Sequence, residues 1–411
     1  MRRMLALVGI VVVGSAALAV ASRDSPPSPR HSDQAASARA ARPSASATAA
    51  VAASSPPGSP ETTPSPRVRY VDCAAGNDRS AGTREAPLRT VTAATAAPLR
   101  PGDAVLLARG CTWAGPIAVR GNGTAAAPIV LDAYGTGPAP VLQAATSDTA
   151  RSGLLMAGDY QVARNLRVTG AAGAGITIEG RRGAVSDAEV DHVGIGVLIR
   201  GAGARVSRVK AHDLQMVVNT VGGDDDYGAT GFIVQADDAQ IGWSSCTRCR
   251  APSHDYGHDG GFADIWNHGD DLVIHHATGE ETDGVLEIGG DSRTASARRI
   301  TLRDNDFRAA HGGVVVHVGN RFAIPVTDLV ITRTTITNTL ASDPPVLSGD
   351  VRNLRFEGNT VATPAVVSAS GAPARHSCNR YAVSAAANVG FSLDATERAG
   401  PTVPAALTTC G

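Results

Sequence analysis

Apolar residues in the middle of the chain come in short Gly-led runs: GFIVQ from Gly231, GFADIW from Gly261, GVLEIG from Gly284 and GVVVHV from Gly313. Between them lie LVIHHATGEETD and ITLRDNDFRAAH, each a second short strand that turns through Gly, Asn or Asp. Strand periodicity returning every roughly 25 to 30 residues, with no helix between, predicts the stacked rungs of a parallel β-solenoid. Upstream, NLRVTGAAGAGITIEG, AEVDHVGIGVLIRG and RVKAHDLQMVV give one coil apiece at a return of roughly 20 to 22 residues. TDLVITRTTITNT and RNLRFEGNTV resume the coils after Gly319. The two largest inserts, residues 219–229 and 250–260, are expected on one binding face.

Register carries the chemistry. Counting three residues on from each leading glycine gives Val234, Asp264, Glu287 and Val316, which puts Asp264 and Glu287 on neighbouring rungs about 4.8 Å apart. Two carboxylates that close are costly unless they share a cation, a proton or a substrate. The stretch from Gly228 to Gly319 also carries seven of the eleven histidines and two of the three tryptophans, and it follows directly on Asp224-Asp225-Asp226-Tyr227.

The ends read differently. Residues 1–21 have the form of an export signal, Arg2-Arg3 before an apolar run and Ala19-Val20-Ala21 as a cleavage site, with an uncleaved anchor as the alternative. Residues 22–67 are Ala, Ser, Pro and Thr, a composition that buries no core and suits a disordered spacer. The folded unit is expected over 68–411, with an N-terminal cap and first strands at 68–142, coils at 143–376 and a C-terminal cap at 377–411. A net charge of -1 suggests neither nucleic acid nor an anionic membrane surface as partner. The expected state is a secreted, extracellular monomer. Six cysteines in an exported chain point to disulfides, and sequence order favours Cys73–Cys111, Cys246–Cys249 and Cys378–Cys410. The CTRC element could instead be a redox pair or half a metal site.

The run YVD…GNDRSAGT…APLRTV…LRPGDAVLLARGCTW, within residues 69–142, resembles the N-terminal module of secreted bacterial right-handed parallel β-helix proteins of the pectate-lyase-like superfamily. The fold class expected is therefore all-β, a right-handed parallel β-helix, with a short amphipathic helix over 88–97 covering the open end of the first rung. TGFIVQ followed by SHDYGHDGGFAD is similar to the pectate-lyase pattern in which a Gly-Phe strand precedes an acidic strand. The resemblance implies Ca2+ held by acids, here Asp259 and Asp264, neutralising a uronate carboxylate so that a base can start β-elimination. Where that pattern has lysine this chain has Gln235, and an uncharged amide cannot take a proton.

Candidate roles follow. Asp264, Glu287, His258 and Arg321 are the catalytic candidates, with Lys210, Arg293 and Tyr256 as further possible bases. Trp266, Tyr256, Gln235 and Arg293 are the substrate-binding candidates. Asp224, Asp225, Asp226, Asp259 and Asp264 offer hard oxygens for calcium, Asp224–Asp226 being alternatively a solvated loop. His275 and His276, adjacent in a strand, are expected to face opposite sides. The leading functional reading is a calcium-assisted polysaccharide lyase. Glycoside hydrolysis by the same acids is the alternative, although the three-aspartate and RIK-type motifs of the polygalacturonase family are missing. A non-catalytic carbohydrate-binding or envelope β-helix is the third.

Overall fold

The computed structural model describes residues 65–319 and 321–410; the export-signal and most of the spacer reading lie outside them. Parallel strands stack into a β-helix. One nine-stranded sheet runs from Ile117–Val119 through Leu154–Met156, Ala174–Ile178, Ile195–Ile199, Thr230–Val234, Gly261–Trp266, Leu286–Gly289 and Val314–Val316 to Leu347–Ser348. The remaining long strands form a 22-stranded sheet that bends around the core. Inward ladders such as Ile176–Val197–Phe232–Ala263–Leu286–Val314 are fully or almost fully buried. Phe262 links two other core rings, its centroid 5.1 Å from both Phe232 and Phe307.

Corners are made by residues with positive φ, stacked coil upon coil. One column runs Asn165, Asp187, Arg208, Trp243, His276, Asp304 and Arg333; another runs His192, Asp213, Arg248, Glu281 and Ala309. Left-handed backbone costs an L-residue roughly 1–2 kcal/mol, less for Asn and Asp. Opposite charges on successive corners offset part of that cost, as in Arg208–Asp187 at 2.6 Å and Arg333–Asp304 at 2.6 Å. Just inside the second turn of the later coils sits a buried amide: Asn359 accepts from Thr334 N at 2.9 Å and donates to Ile331 O at 2.9 Å.

The two inserts form antiparallel hairpins, Met216–Val218 with Tyr227–Gly228 and Ala251–Ser253 with Gly257–Asp259. They are tied together by Asn219, which donates to Pro252 O at 3.0 Å and accepts from His254 N at 3.0 Å.

Three sequence expectations are corrected. The register pairs Asp264 with Glu287, but its flanking partners are Ile233 and Val315, not Val234 and Val316. The residue opposite Gly261 is Thr230, not Gly231, and Val314, the residue directly after Gly313, pairs with Leu286, so those two rungs are offset by one and Val234 and Val316 point into the core. The cap helix is a single turn, Val91–Ala94, capped by Thr90, because Leu88 is drawn into a parallel bridge with Val71. His275 and His276 do not part: positive φ at His276 brings their Nδ1 atoms to 3.1 Å. All three expected disulfides are present.

Candidate functional site

The outward ladder of the nine-stranded sheet reads Thr177, Leu198, Ile233, Asp264, Glu287, Val315, Ser348. Its apolar N-terminal part packs under a satellite cluster of Ala174, Ile195, Leu198, Ile233, Trp266 and Phe322. Hydrophobic cover on one side and hairpins on another withdraw water from the first acid. Asp264 accepts a hydrogen bond from Thr230 Oγ1 at 3.0 Å. Burial, then the charges of Glu287 and Asp259, outweigh that bond and lift its carboxyl well above the usual range. Asp264 is therefore the proton-bearing member of the pair.

Glu287 is held differently. Its Oε1 lies 2.6 Å from His317 Nε2, an imidazole that is itself buried. Burial works to lower the His317 pKa, but the hydrogen bond and charge of Glu287, with a smaller contribution from Asp224, leave it raised. The short contact is of the charge-assisted kind that an imidazole and a carboxyl group form. Gly289 permits this packing, since a Cβ there would come within 2.6 Å of the His317 ring and 3.1 Å of Trp266. His317 is the residue that sequence reasoning missed; the one-residue register shift after Gly312-Gly313 hid it.

Asp264 and Glu287 lie between two concavities. A pocket of about 440 Å³ is lined by Tyr227, Gln235, Asp259 and Trp266 among others, and an open groove of about 1690 Å³ by Gly261, Asp283, Gly284, His317 and Asp343 among others. Both acids line both spaces. Gln235 also accepts from Arg200 Nε at 3.1 Å. Trp266 is 8% exposed, 5.5 Å from Phe322 between ring centroids, and its Nε1 has no hydrogen-bond partner among the described residues.

The other sequence candidates stand apart from this pair. Tyr256 donates to Asp224 Oδ1 at 2.7 Å, and burial followed by that contact pushes its phenol pKa up. Arg321 bonds the Asp224 carbonyl at 3.2 Å and stacks on Phe322 at 4.4 Å. His258 is exposed on the second hairpin, and Arg293 is exposed on the loop after Leu286–Gly289; neither lines the pocket or the groove. Lys210 pairs in strand register with Glu189 and Ser245, away from the acids.

The five acids considered for calcium do not form one shell. Among the described residues the acidic cluster here is Asp225, Asp226 and Asp255, oxygens within 4.8 Å of one another. Those oxygens already serve the hairpins: Asp226 accepts from Thr220 N at 2.6 Å and Ser253 Oγ at 2.8 Å, and Asp255 accepts from Asp225 N at 3.0 Å. Despite desolvation, hydrogen bonds from Asp255 N at 3.0 Å, Ser253 Oγ and Thr220 N hold the Asp226 carboxyl below its ordinary pKa. The set reads as a loop clamp.

No protein-family model matches the chain, and no curated protein matches it. Among solved structures it is similar to pectate lyase Pel9A, 17% identical over 82% of this chain and 80% of that one, TM-score 0.50. It is also similar to the GH136 lacto-N-biosidase from Eubacterium ramulus, 14% identical over 81% and 68%, TM-score 0.49. An alginate lyase from Paenibacillus sp. str. FPU-7 is 18% identical over 75% and 97%, TM-score 0.47. The chain has a parallel β-helix fold, and its structural neighbours are carbohydrate-active β-helix proteins. At these identities the likeness is one of fold.

Proposed function

We propose that this chain is an exported, polysaccharide-active enzyme that hydrolyses glycosidic bonds with the Asp264–Glu287 pair. The observation that supports this best is the division of labour between two carboxyls on adjacent strands: one held protonated by burial, the other paired with a buried imidazole. Adjacent strands lie about 4.8 Å apart, close to the spacing of about 5–5.5 Å typical of retaining glycosidases. Asp264 donates its proton to the glycosidic oxygen while Glu287 attacks the anomeric carbon. The C–O bond breaks, the protonated leaving sugar departs, and a glycosyl ester remains on Glu287. Asp264, now ionised, takes a proton from water, whose oxygen displaces Glu287 and releases the second sugar. His317 orients Glu287 through their hydrogen bond.

β-Elimination, the leading expectation from sequence, would need a base where Gln235 stands and a cation for the uronate. The two reactions separate by product. With the purified full chain on a polysaccharide panel, reducing ends form without near-ultraviolet absorbance, independently of chelator, and with retained anomeric configuration by NMR. Asp264→Asn and Glu287→Gln each lower kcat by about 10³-fold or more. Unsaturated, calcium-dependent product would replace hydrolysis with the lyase reading, and binding without any product would leave a carbohydrate-binding protein.

A further inference from the structure

The outward ladder that carries the acid pair is covered on one side only. Thr177, Leu198 and Ile233 point away from the core, yet they are 2%, 5% and 5% exposed. Val217 of the first hairpin and Phe322 pack into the satellite cluster that holds Leu198 and Ile233, and Ser152 Oγ lies 2.6 Å from Thr177 Oγ1. From Asp264 onward the cover is gone: Asp264, Glu287, Val315 and Ser348 are all half-buried. The groove of about 1690 Å³ follows that half of the ladder, from Gly261 past Gly284 and Gly313 to Ser348 and Ala369. Its floor crosses the strands Gly261–Trp266, Leu286–Gly289, Val314–Val316 and Leu347–Ser348, a run of about 14 Å at the usual strand interval.

The cover on the closed side is braced. Asp226 on the first hairpin accepts from Ser253 Oγ at 2.8 Å and Asp255 N at 3.0 Å on the second, and Asn219 adds two more bonds between the hairpins. Arg321, next to Phe322, bonds the Asp224 carbonyl at 3.2 Å. The two inserts and the segment at Phe322 thus make a wall across the axis of the groove. A linear glycan lying along the groove reaches Asp264 and Glu287 and meets, beyond them, the pocket of about 440 Å³ beside Tyr227, Gln235 and Trp266. Such a pocket takes a short terminal segment, whereas a chain continuing straight on would run into Ile233 and its cover. We propose that this protein acts at chain ends: the terminal part of a linear glycan fills the pocket, the rest runs out along the groove, and each turnover releases a product of one short length. This rests on the reading of Asp264 and Glu287 as the cleaving pair, and deepens it by naming where on a glycan the pair works.

The test follows product length rather than bond cleavage alone. The full-length protein is given a mixed-linkage β-glucan, chitosan, alginate and polygalacturonate, and the products are sized by chromatography and mass spectrometry while solution viscosity is recorded. The expected result is one short saccharide from the earliest time points, with viscosity falling slowly as that product accumulates. Binding is scored separately on Glu287→Gln protein with a short and a long size fraction of each polymer. A chain-end site saturates at the same number of protein molecules per chain for both fractions, whereas binding along the chain rises with length. Mixed product lengths with rapid loss of viscosity, a protein-to-chain ratio that rises with length, or neither cleavage nor binding of any of the four polymers would each overturn chain-end action. A product of one length that absorbs in the near ultraviolet would keep chain-end action and overturn only hydrolysis. Mixed lengths without that absorbance would do the reverse.

Discussion

Asp264 is held in a state that costs the fold something. A carboxyl whose folded pKa is raised keeps its proton on folding, so stability falls as pH rises from the unfolded pKa of about 3.9 through the folded one. Asp264→Asn removes that dependence. The expected outcome is a Tm raised by roughly 2–4 °C at pH 7, no gain below about pH 4, and loss of activity, measured by thermal melts across pH. The sign is the same for His317, although the group is a base. Its raised pKa means that the stability of the Glu287–His317 contact is complete below about pH 6.5 and is lost as pH rises through the folded value. Spacing alone placed Asp264 opposite Glu287, because the period of two and the stacking repeat leave little freedom between Gly261 and Gly284. Spacing could not show His317, since its role depends on which glycine of a doublet leads the strand. Nor could it show that Tyr256 and Arg321 are spent on Asp224, a contact between residues far apart in sequence.

At the scale of the coil, three devices keep a corner in place: a left-handed residue, an ion pair to the next coil, and a buried amide. The buried amide is the strongest of them. Asn359 has no exposed surface and satisfies backbone groups on the preceding coil. Asn359→Ala leaves Thr334 N–H and Ile331 C=O without their partner, and is expected to cost about 2–4 kcal/mol in urea unfolding. Replacing an exposed corner ion pair such as Arg333–Asp304 is expected to cost under about 1 kcal/mol. The strands themselves were legible from alternating Val, Ile and Thr. The corners were less so, because Asp, Arg, His and Trp at positive φ look like ordinary polar turns until the columns are seen. The N-terminal helix was overread for a related reason: Leu88 is apolar at helical spacing, yet its backbone pairs with Tyr70 and Asp72.

For the whole molecule, each coil contacts chiefly its neighbours, so stability is close to a sum along one axis. Cys378–Cys410 closes the last coils over a separation of 32 residues. Cys378→Ser with Cys410→Ser is expected to cost about 2–4 kcal/mol. Hydrogen exchange should then rise in residues beyond about 350, while amides of the Gly261–Trp266 and Leu286–Gly289 strands stay protected; uniform loss of protection would show a single cooperative unit instead.

The pairing of Asp264 with Glu287 has one more consequence. Their separation is set by the interval between hydrogen-bonded strands, a repeat distance shared by the outward pairs Leu198–Ile233 and Val315–Ser348. The reactive spacing is in that sense a lattice constant, independent of the loops that choose the substrate. The same two side chains written one pair further along the ladder would meet at the same distance beneath a different set of loops, which makes the chemistry transposable in a way that a loop-built site is not.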